Sequence, residues 1–180
     1  MTLSRRKLTP ITATDESIAP FGRLIRAQDD SGRQTKFYND AVSLWNIPGM
    51  VTDHDASVSV TRISPRPMSV IWMERHFKHT QVFMPLNGAP FHVVMAPPNA
   101  DMVPDPEHVQ ALSFDGSAGL MLHLRTWHEF PFAVDREADV AVFLRNETNA
   151  NLDAFENGEA IGGDLEKRNI QTRLGIEFVI

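Results

Sequence analysis

From about residue 56 to residue 145 the chain is cut into short apolar runs by turn-forming residues, and this punctuation limits its fold more than any other feature. Runs rich in Val, Ile, Phe and Leu predict strands at 58–63, 69–76, 81–84, 91–95, 110–114, 120–124, 130–134 and 140–144. Between them stand Ser64-Pro65-Arg66-Pro67, Pro85-Leu86-Asn87-Gly88, Pro97-Pro98-Asn99 and Asp115-Gly116. Many short strands separated by fixed turns give a sandwich or barrel. Strands alternating with long amphipathic helices would give a parallel sheet, and that pattern does not occur here. Helices are expected only at the periphery. Thr14-Asp15-Glu16 offers an N-cap and an acidic first turn for a short one, stopped by Pro20 and Gly22. Residues 1–13 read as extended and loosely held, and residues 28–34 as polar with a turn at Gly32. Residues 146–167 read as loop plus helix within a polar tail (146–170), and 176–180 as a returning edge strand.

A length of 180 residues with 42% apolar content suits a single domain, 1–180, with one core. The net charge of −6 argues against a nucleic-acid partner, which would need clustered Lys and Arg; the one basic run is Arg5-Arg6-Lys7. The chain has no cysteine, so any metal must take imidazole, carboxylate or amide ligands. No apolar run approaches the roughly 18 residues of a membrane span, and the first residues lack the apolar core of a signal peptide. The expected compartment is therefore the cytoplasm.

Chemistry concentrates at Glu74-Arg75-His76-Phe77-Lys78-His79-Thr80-Gln81. Alternate residues of a strand share a face. Glu74 and His76 therefore point one way with Val70 and Trp72, while Ile71, Met73 and Arg75 point the other. A short connection then brings Gln81 beside Glu74 and His76, and Gly88 closes the next turn. His79 is expected in the connection, facing solvent. His54, His92 and His108 read as surface or structural residues, and Trp45, Trp72 and Trp127 as core or pocket wall. The acids between Asp153 and Glu166 lack the spacing of a metal loop and read as a solvated face.

Written out, the segment is Glu74-x-His76-x4-Gln81-x6-Gly88. This resembles the first motif of cupin barrels, His-x-His-x3–4-Glu-x6-Gly, with Glu74 for the first His and Gln81 for the Glu. The resemblance implies an all-β, cupin-like double-stranded β-helix (jelly-roll β-barrel) and three metal ligands, Glu74, His76 and Gln81. His128, in Gly119…His123-x-Arg125-x-x-His128, takes the place of the fourth.

The chain is more closely similar to the ureidoglycolate lyase family, a cupin-like group. The matching residues are Glu74-Arg75-His76, Thr80-Gln81-Val82-Phe83-Met84-Pro85, Gly88 and Phe91-His92-Val93-Val94-Met95-Ala96. A second block is Gly116, Gly119, His123 and Trp127-His128, and Arg62 stands where the family has an Arg on the preceding strand. Two segments differ: Trp127-His128-Glu129-Phe130 stands for the usual Trp-His-His-Pro, and Thr35-Lys36-Phe37-Tyr38-Asn39-Asp40 for an early Asn-Gly…Arg segment.

The resemblance implies metal-assisted cleavage of (S)-ureidoglycolate to glyoxylate and urea, in purine and allantoin degradation. It implies nickel, with manganese or zinc as alternatives suited to the same donors, and a homodimer. Arg62 is the first candidate to pin the substrate carboxylate, and Arg62, His123 and His128 are the catalytic candidates, His123 as base. Lys36, Arg125 and Trp127 are further candidates for substrate contacts. Two other readings stay open at this point. One is a divergent cupin isomerase or hydrolase acting on another small polar acid, with a pocket altered at Glu129 and Lys36. The other is a non-catalytic small-molecule-binding barrel.

Overall fold

The computed structural model describes residues 3–28, 33–34, 41–53, 55–154 and 158–180. Strands dominate, in the all-β, cupin-like arrangement expected. One five-stranded sheet has the order Gly22–Ile25, Gly119–Leu122, Val82–Pro85, Ala138–Arg145, Ala56–Ile63. The largest sheet runs Ala160–Ile161, Leu165–Asn169, Trp72–His76, Trp127–His128, Phe91–Ala96, Gln110–Phe114, Ile11–Thr12, and Phe132–Ala133 also pairs with Phe91–Ala96. A three-stranded sheet has the order Ser4–Lys7, Ile176–Val179, Ser69–Val70. The short helices are Asp15–Ile18, Asn146–Ala154 and Ile170–Leu174. The first is capped as the sequence indicates: the Thr14 hydroxyl accepts from the Ser17 N–H while the Ser17 hydroxyl accepts from the Thr14 N–H.

Alternation along the strands sorts side chains into two cores. In Phe91–Ala96, Phe91, Val93 and Met95 join Phe83, Leu112, Leu120, Val140 and Val142 in the first. Val94 and Ala96 face the other way, into a second core with Val70, Met73, Trp127, Phe132 and Phe178. A strand buried on both faces must be apolar almost throughout, which accounts for the unbroken texture of this run. Two glycines shape the turns at one end. Gly88 has φ +64 and Gly116 φ +88, conformations that L side chains rarely adopt. A Cβ at Gly116 would also meet the Gly88 carbonyl carbon at 2.5 Å.

The differences from the sequence reading have local causes. The strand expected at 69–76 divides at Ile71, because Ser69–Val70 pairs with Ile176–Val179 while Trp72–His76 joins the largest sheet. The strand expected at 130–134 shrinks to Phe132–Ala133, after Pro131, which has no N–H to give; Trp127–His128 pairs instead. The strand expected at 120–124 stops at Leu122, ahead of a turn in which Arg125 has φ 66. Ile176–Val179 is not an edge: it lies between Ser4–Lys7 and Ser69–Val70, so the first residues are held rather than loose. The turn expected at Gly32 falls outside the described residues.

The largest correction concerns the polar tail. Leu165–Asn169 pairs antiparallel with Trp72–His76, in a register that sets Glu166 opposite Arg75 and Lys167 opposite Glu74. Glu166 is buried, not solvated. It accepts from Arg75 (Nε to Oε2, 2.8 Å) and from Arg168 (Nη2 to Oε1, 2.6 Å), both buried as well. Arg75 also donates to the Asn99 and Asp101 carbonyls and lies 4.3 Å over the Trp127 ring. Burying ions without partners costs several kcal/mol each, so this cluster strongly disfavours any other register of the tail strand. Glu166→Gln, which leaves two buried guanidinium groups short of a counter-charge, is expected to destabilise the fold by roughly 3–5 kcal/mol in denaturant unfolding.

Candidate metal centre

Glu74 and His76 share the inward face of Trp72–His76, at one end of the first core. The neighbouring strand places His128 directly opposite Glu74. Gln81 immediately precedes Val82–Pro85, its carbonyl accepting from the Leu122 N–H. The structure therefore brings together the four residues singled out as ligands. Glu74, His76 and His128 each offer an atom within 4.8 Å of the others. Glu74 Oε1 lies 3.6 Å from His76 Nε2 and 3.5 Å from His128 Nε2. Donors around one transition metal, bonded at roughly 2.0–2.2 Å, stand roughly 3–3.5 Å apart, close to these separations.

Hydrogen bonding fits a cation at this point. His128 Nδ1 lies 3.0 Å from the Thr126 carbonyl, which fixes the proton there and turns the Nε2 lone pair inward. Among the described residues, His128 Nε2, both His76 nitrogens and Gln81 Oε1 are buried with no hydrogen-bond partner. Each such group costs about 1–3 kcal/mol if left unmet, and a divalent ion would satisfy lone pairs of this kind together. Burial alone would raise the Glu74 carboxyl, but its contacts with His128 and His76 outweigh that and hold it well below the usual carboxylate range. Burial lowers His76, against the opposing pull of Glu74, so its imidazole is neutral at physiological pH and able to ligate.

A cavity of about 250 Å³ opens beside these groups, walled by Trp72, Phe130, Leu144 and Leu152. It is smaller than the roughly 300–1,000 Å³ of pockets for drug-sized ligands and suits a small metabolite. Glu129, read from the sequence as altering the pocket, lines it, as does Lys167, which the sequence did not single out. Glu129 Oε1 accepts from Phe130 N–H and from Arg66 Nη2, and Oε2 from Trp72 N–H at 3.4 Å. Burial pushes its carboxyl up to about 7, with Arg66 opposing and the Glu74 charge adding to the rise.

Several expected site residues stand elsewhere. Arg62 lies on the exposed face of Ala56–Ile63 with Val58 and Val60, and forms a bidentate pair with Asp139, its cross-strand neighbour, at 2.8 and 2.9 Å. It does not line the cavity, because alternation sends its neighbour Ile63 into the core instead. Trp127 faces away from His128 into the second core, where its Nε1 donates to Asn99 Oδ1 and its ring carries Arg75. Arg125 is exposed in the turn after Leu122. His123 lines a separate surface cavity of about 520 Å³ with Asp15, Ile18 and Arg23, not the one beside Glu74. Lys36 and His54 lie outside the described residues.

His79 is buried rather than solvated, with its ring centroid 4.6 Å from that of His76. Its Nδ1 donates to Asp164 Oδ2 at 2.7 Å. Asp164 also accepts from the Thr148 hydroxyl and from the Phe77 and Lys78 N–H groups. His76, His79 and Asp164 also cluster closely enough to suggest a metal. The Asp164 oxygens are already filled by protein donors, so this second group works as a brace for the 77–80 connection. Burial opposes the Asp164 charge, yet the bonds from His79, Thr148 and Lys78 hold its carboxyl far below the usual range. A carboxyl lowered in the folded state stabilises the fold above its unfolded pKa, and that contribution is lost as pH falls through the folded one. Asp164→Asn is therefore expected to cost roughly 3 kcal/mol near pH 7. The gap to the parent should narrow below about pH 4, as read by denaturant unfolding at both pH values.

No helix among the described residues is long and apolar enough to cross a membrane. The family model for ureidoglycolate lyase matches residues 5–162. A ureidoglycolate lyase of Azotobacter vinelandii is 30% identical over 150 residues, covering 79% of this chain and 87% of its own. One from Pseudomonas savastanoi pv. phaseolicola is 29% identical over 156 residues, with coverages of 82% and 88%. One from Brucella melitensis biotype 2 is 29% identical over 155 residues, again with 82% and 88%. With the matched span enclosing Glu74, His76, Gln81 and His128, the chain belongs to the ureidoglycolate lyase family.

Proposed function

We propose that this protein cleaves (S)-ureidoglycolate to glyoxylate and urea in the cavity beside Glu74. The observation that carries the reading is the cluster of Glu74, His76 and His128 beside a small cavity that Glu74, Gln81 and His128 line, in a chain of this family. These four residues would hold a divalent ion. One carboxylate, two imidazoles and an amide oxygen suit nickel, manganese or zinc, and the resemblance to the family favours nickel. When bound, the ion supplies Lewis acidity that eases loss of a proton from a coordinated hydroxyl.

The substrate is a hemiaminal. Its hydroxyl must lose a proton as the carbonyl forms and the C–N bond breaks, and the departing urea nitrogen must gain one. Glu129 is placed for that traffic: it lines the cavity, and burial raises its carboxyl's affinity for a proton. One oxygen takes the hydroxyl proton and the same group returns it to nitrogen, so no net proton is consumed. The Phe130 and Trp72 N–H groups fix the plane of the carboxyl, and Arg66 limits how far its affinity for a proton can rise. Trp72, Phe130 and Leu144 exclude water around the breaking bond.

Purified protein loaded with nickel or manganese is expected to release glyoxylate and urea in equal amounts from ureidoglycolate. No release with any of the three metals would overturn the reading. His128→Ala should lose both bound metal and turnover, measured by metal analysis and glyoxylate detection. Glu129→Gln should keep its metal and lose roughly 10²–10⁴ in kcat with little change in KM.

A further inference from the structure

A histidine that ligates a metal through one ring nitrogen carries a proton on the other, and that N–H is almost always given to an acceptor. His128 meets this condition through the Thr126 carbonyl, 3.0 Å from its Nδ1. His76 lacks such an acceptor. Its Nε2 is the nitrogen 3.6 Å from Glu74 Oε1, among the candidate ligand atoms, which leaves Nδ1 to bear the proton. That Nδ1 is buried without a hydrogen-bond partner among the described residues.

The ring packed against His76 has the opposite deficit. The His79 centroid lies 4.6 Å from that of His76, with the planes tilted by 37°, and a nitrogen of each ring lies within 4.8 Å of the other. The ionised Asp164 carboxylate only accepts, so His79 Nδ1, at 2.7 Å from it, is the donor. With that proton on Nδ1, the neutral ring keeps a lone pair on Nε2. This atom is also buried and unpartnered among the described residues. A donor and an acceptor thus stand unmet on neighbouring rings, at about 1–3 kcal/mol each. His79 does not line the cavity beside Glu74, so a substrate there does not supply the missing partner.

We propose that His79 is a positioning residue for the metal: its Nε2 accepts from the His76 Nδ1–H, directly or across one water, and so holds the His76 ring with its Nε2 lone pair toward the ion. Asp164 stands at the far end of this line and fixes the His79 tautomer, with the Thr148 hydroxyl and the Phe77 and Lys78 N–H groups fixing Asp164 in turn. The brace of the 77–80 connection therefore has a second use, in orienting a ligand. A carboxylate drawing on the Nδ1 proton leaves Nε2 a stronger acceptor, which makes His76 a more basic ligand. Asp164 lies beyond the matched residues 5–162, so the tail supports the ligand set without joining it. The inference rests on the reading that Glu74, His76, Gln81 and His128 hold a divalent ion, and it is separable from the reaction proposed.

The test uses the full-length protein. In the zinc-loaded parent with isotope-labelled histidine, long-range proton–nitrogen spectra should show His76 protonated at Nδ1 and bound through Nε2, and His79 protonated at Nδ1 alone. His76 bound through Nδ1, or His79 carrying a proton on Nε2, overturns the proposal. His79→Phe, which keeps a ring but no acceptor, should weaken zinc binding roughly 10–100-fold, measured on folded protein against a competing chelator. His79→Gln, whose amide oxygen accepts, should recover part of that loss. A merely structural His79 would lower the melting temperature of the metal-free protein and leave zinc affinity unchanged. That result overturns the proposal while leaving the metal centre standing. Should His79→Phe fail to fold, the spectra of the parent decide. A parent that shows the expected ring protons and binds zinc, yet does not cleave ureidoglycolate, upholds the proposal and rejects the reaction. A parent that binds no divalent ion rejects both the metal centre and the proposal.

Discussion

The pairing of Arg75 with Glu166 is small in area but fixes much of what lies around it. Two strands far apart in sequence meet through these ions, and Arg168 and Trp127 complete the enclosure. Mispairing would bury charge without compensation, a cost far larger than the few tenths of a kcal/mol that separate ordinary strand pairings. With that register set, the other face follows by alternation. Lys167 comes beside Glu74, His76 comes beside Leu165, and the cavity acquires its far wall. The buried ions on one face of the sheet thus position the reactive groups on the other without touching them.

The reactive face carries its own electrostatic problem. Two carboxyl groups, Glu74 and Glu129, sit at one small cavity, and both cannot be ionised there at low cost. The molecule treats them differently. Glu74 has imidazoles at 3.5 and 3.6 Å and stays charged, as a ligand must. Glu129 has one arginine at 3.3 Å and two N–H groups, too little to offset burial beside a charged neighbour, and its proton affinity rises. Two acids pushed apart in this way take two roles, one in holding an ion and one in moving a proton.

Much of this was legible in the sequence, and the limits have physical reasons. Strand alternation put Glu74 and His76 on one face, and the resemblance of their spacing to Gln81, Gly88 and His128 to the cupin motif pointed to the four candidate ligands, because those relations are local or lie on short, well-punctuated runs. The helix capped by Thr14 was legible for the same reason. Arg62 was chosen on the resemblance, which does not say which face of the strand is inward; on Ala56–Ile63 the valines and Arg62 face out and the serines in. Trp127 was misplaced by one residue of alternation, since His128 beside it necessarily faces the opposite way. His79 and Asp164 were read as solvated because each is unremarkable until a contact across 85 residues of chain makes a buried pair. The tail looked like a solvated face because its acids, Asp164 and Glu166, face positive or donor groups that no local pattern reveals.

That last point bears on how function is distributed along the chain. The metal-binding candidates and Glu129 lie within the span shared with the family, whereas Asp164, Glu166 and Lys167 lie just past it. The shared span therefore contains the groups that would hold the ion and move the proton, and the strand beyond it pairs with the one that carries Glu74 and His76. That strand cannot drift freely, since its Glu166 holds Arg75 and Arg168.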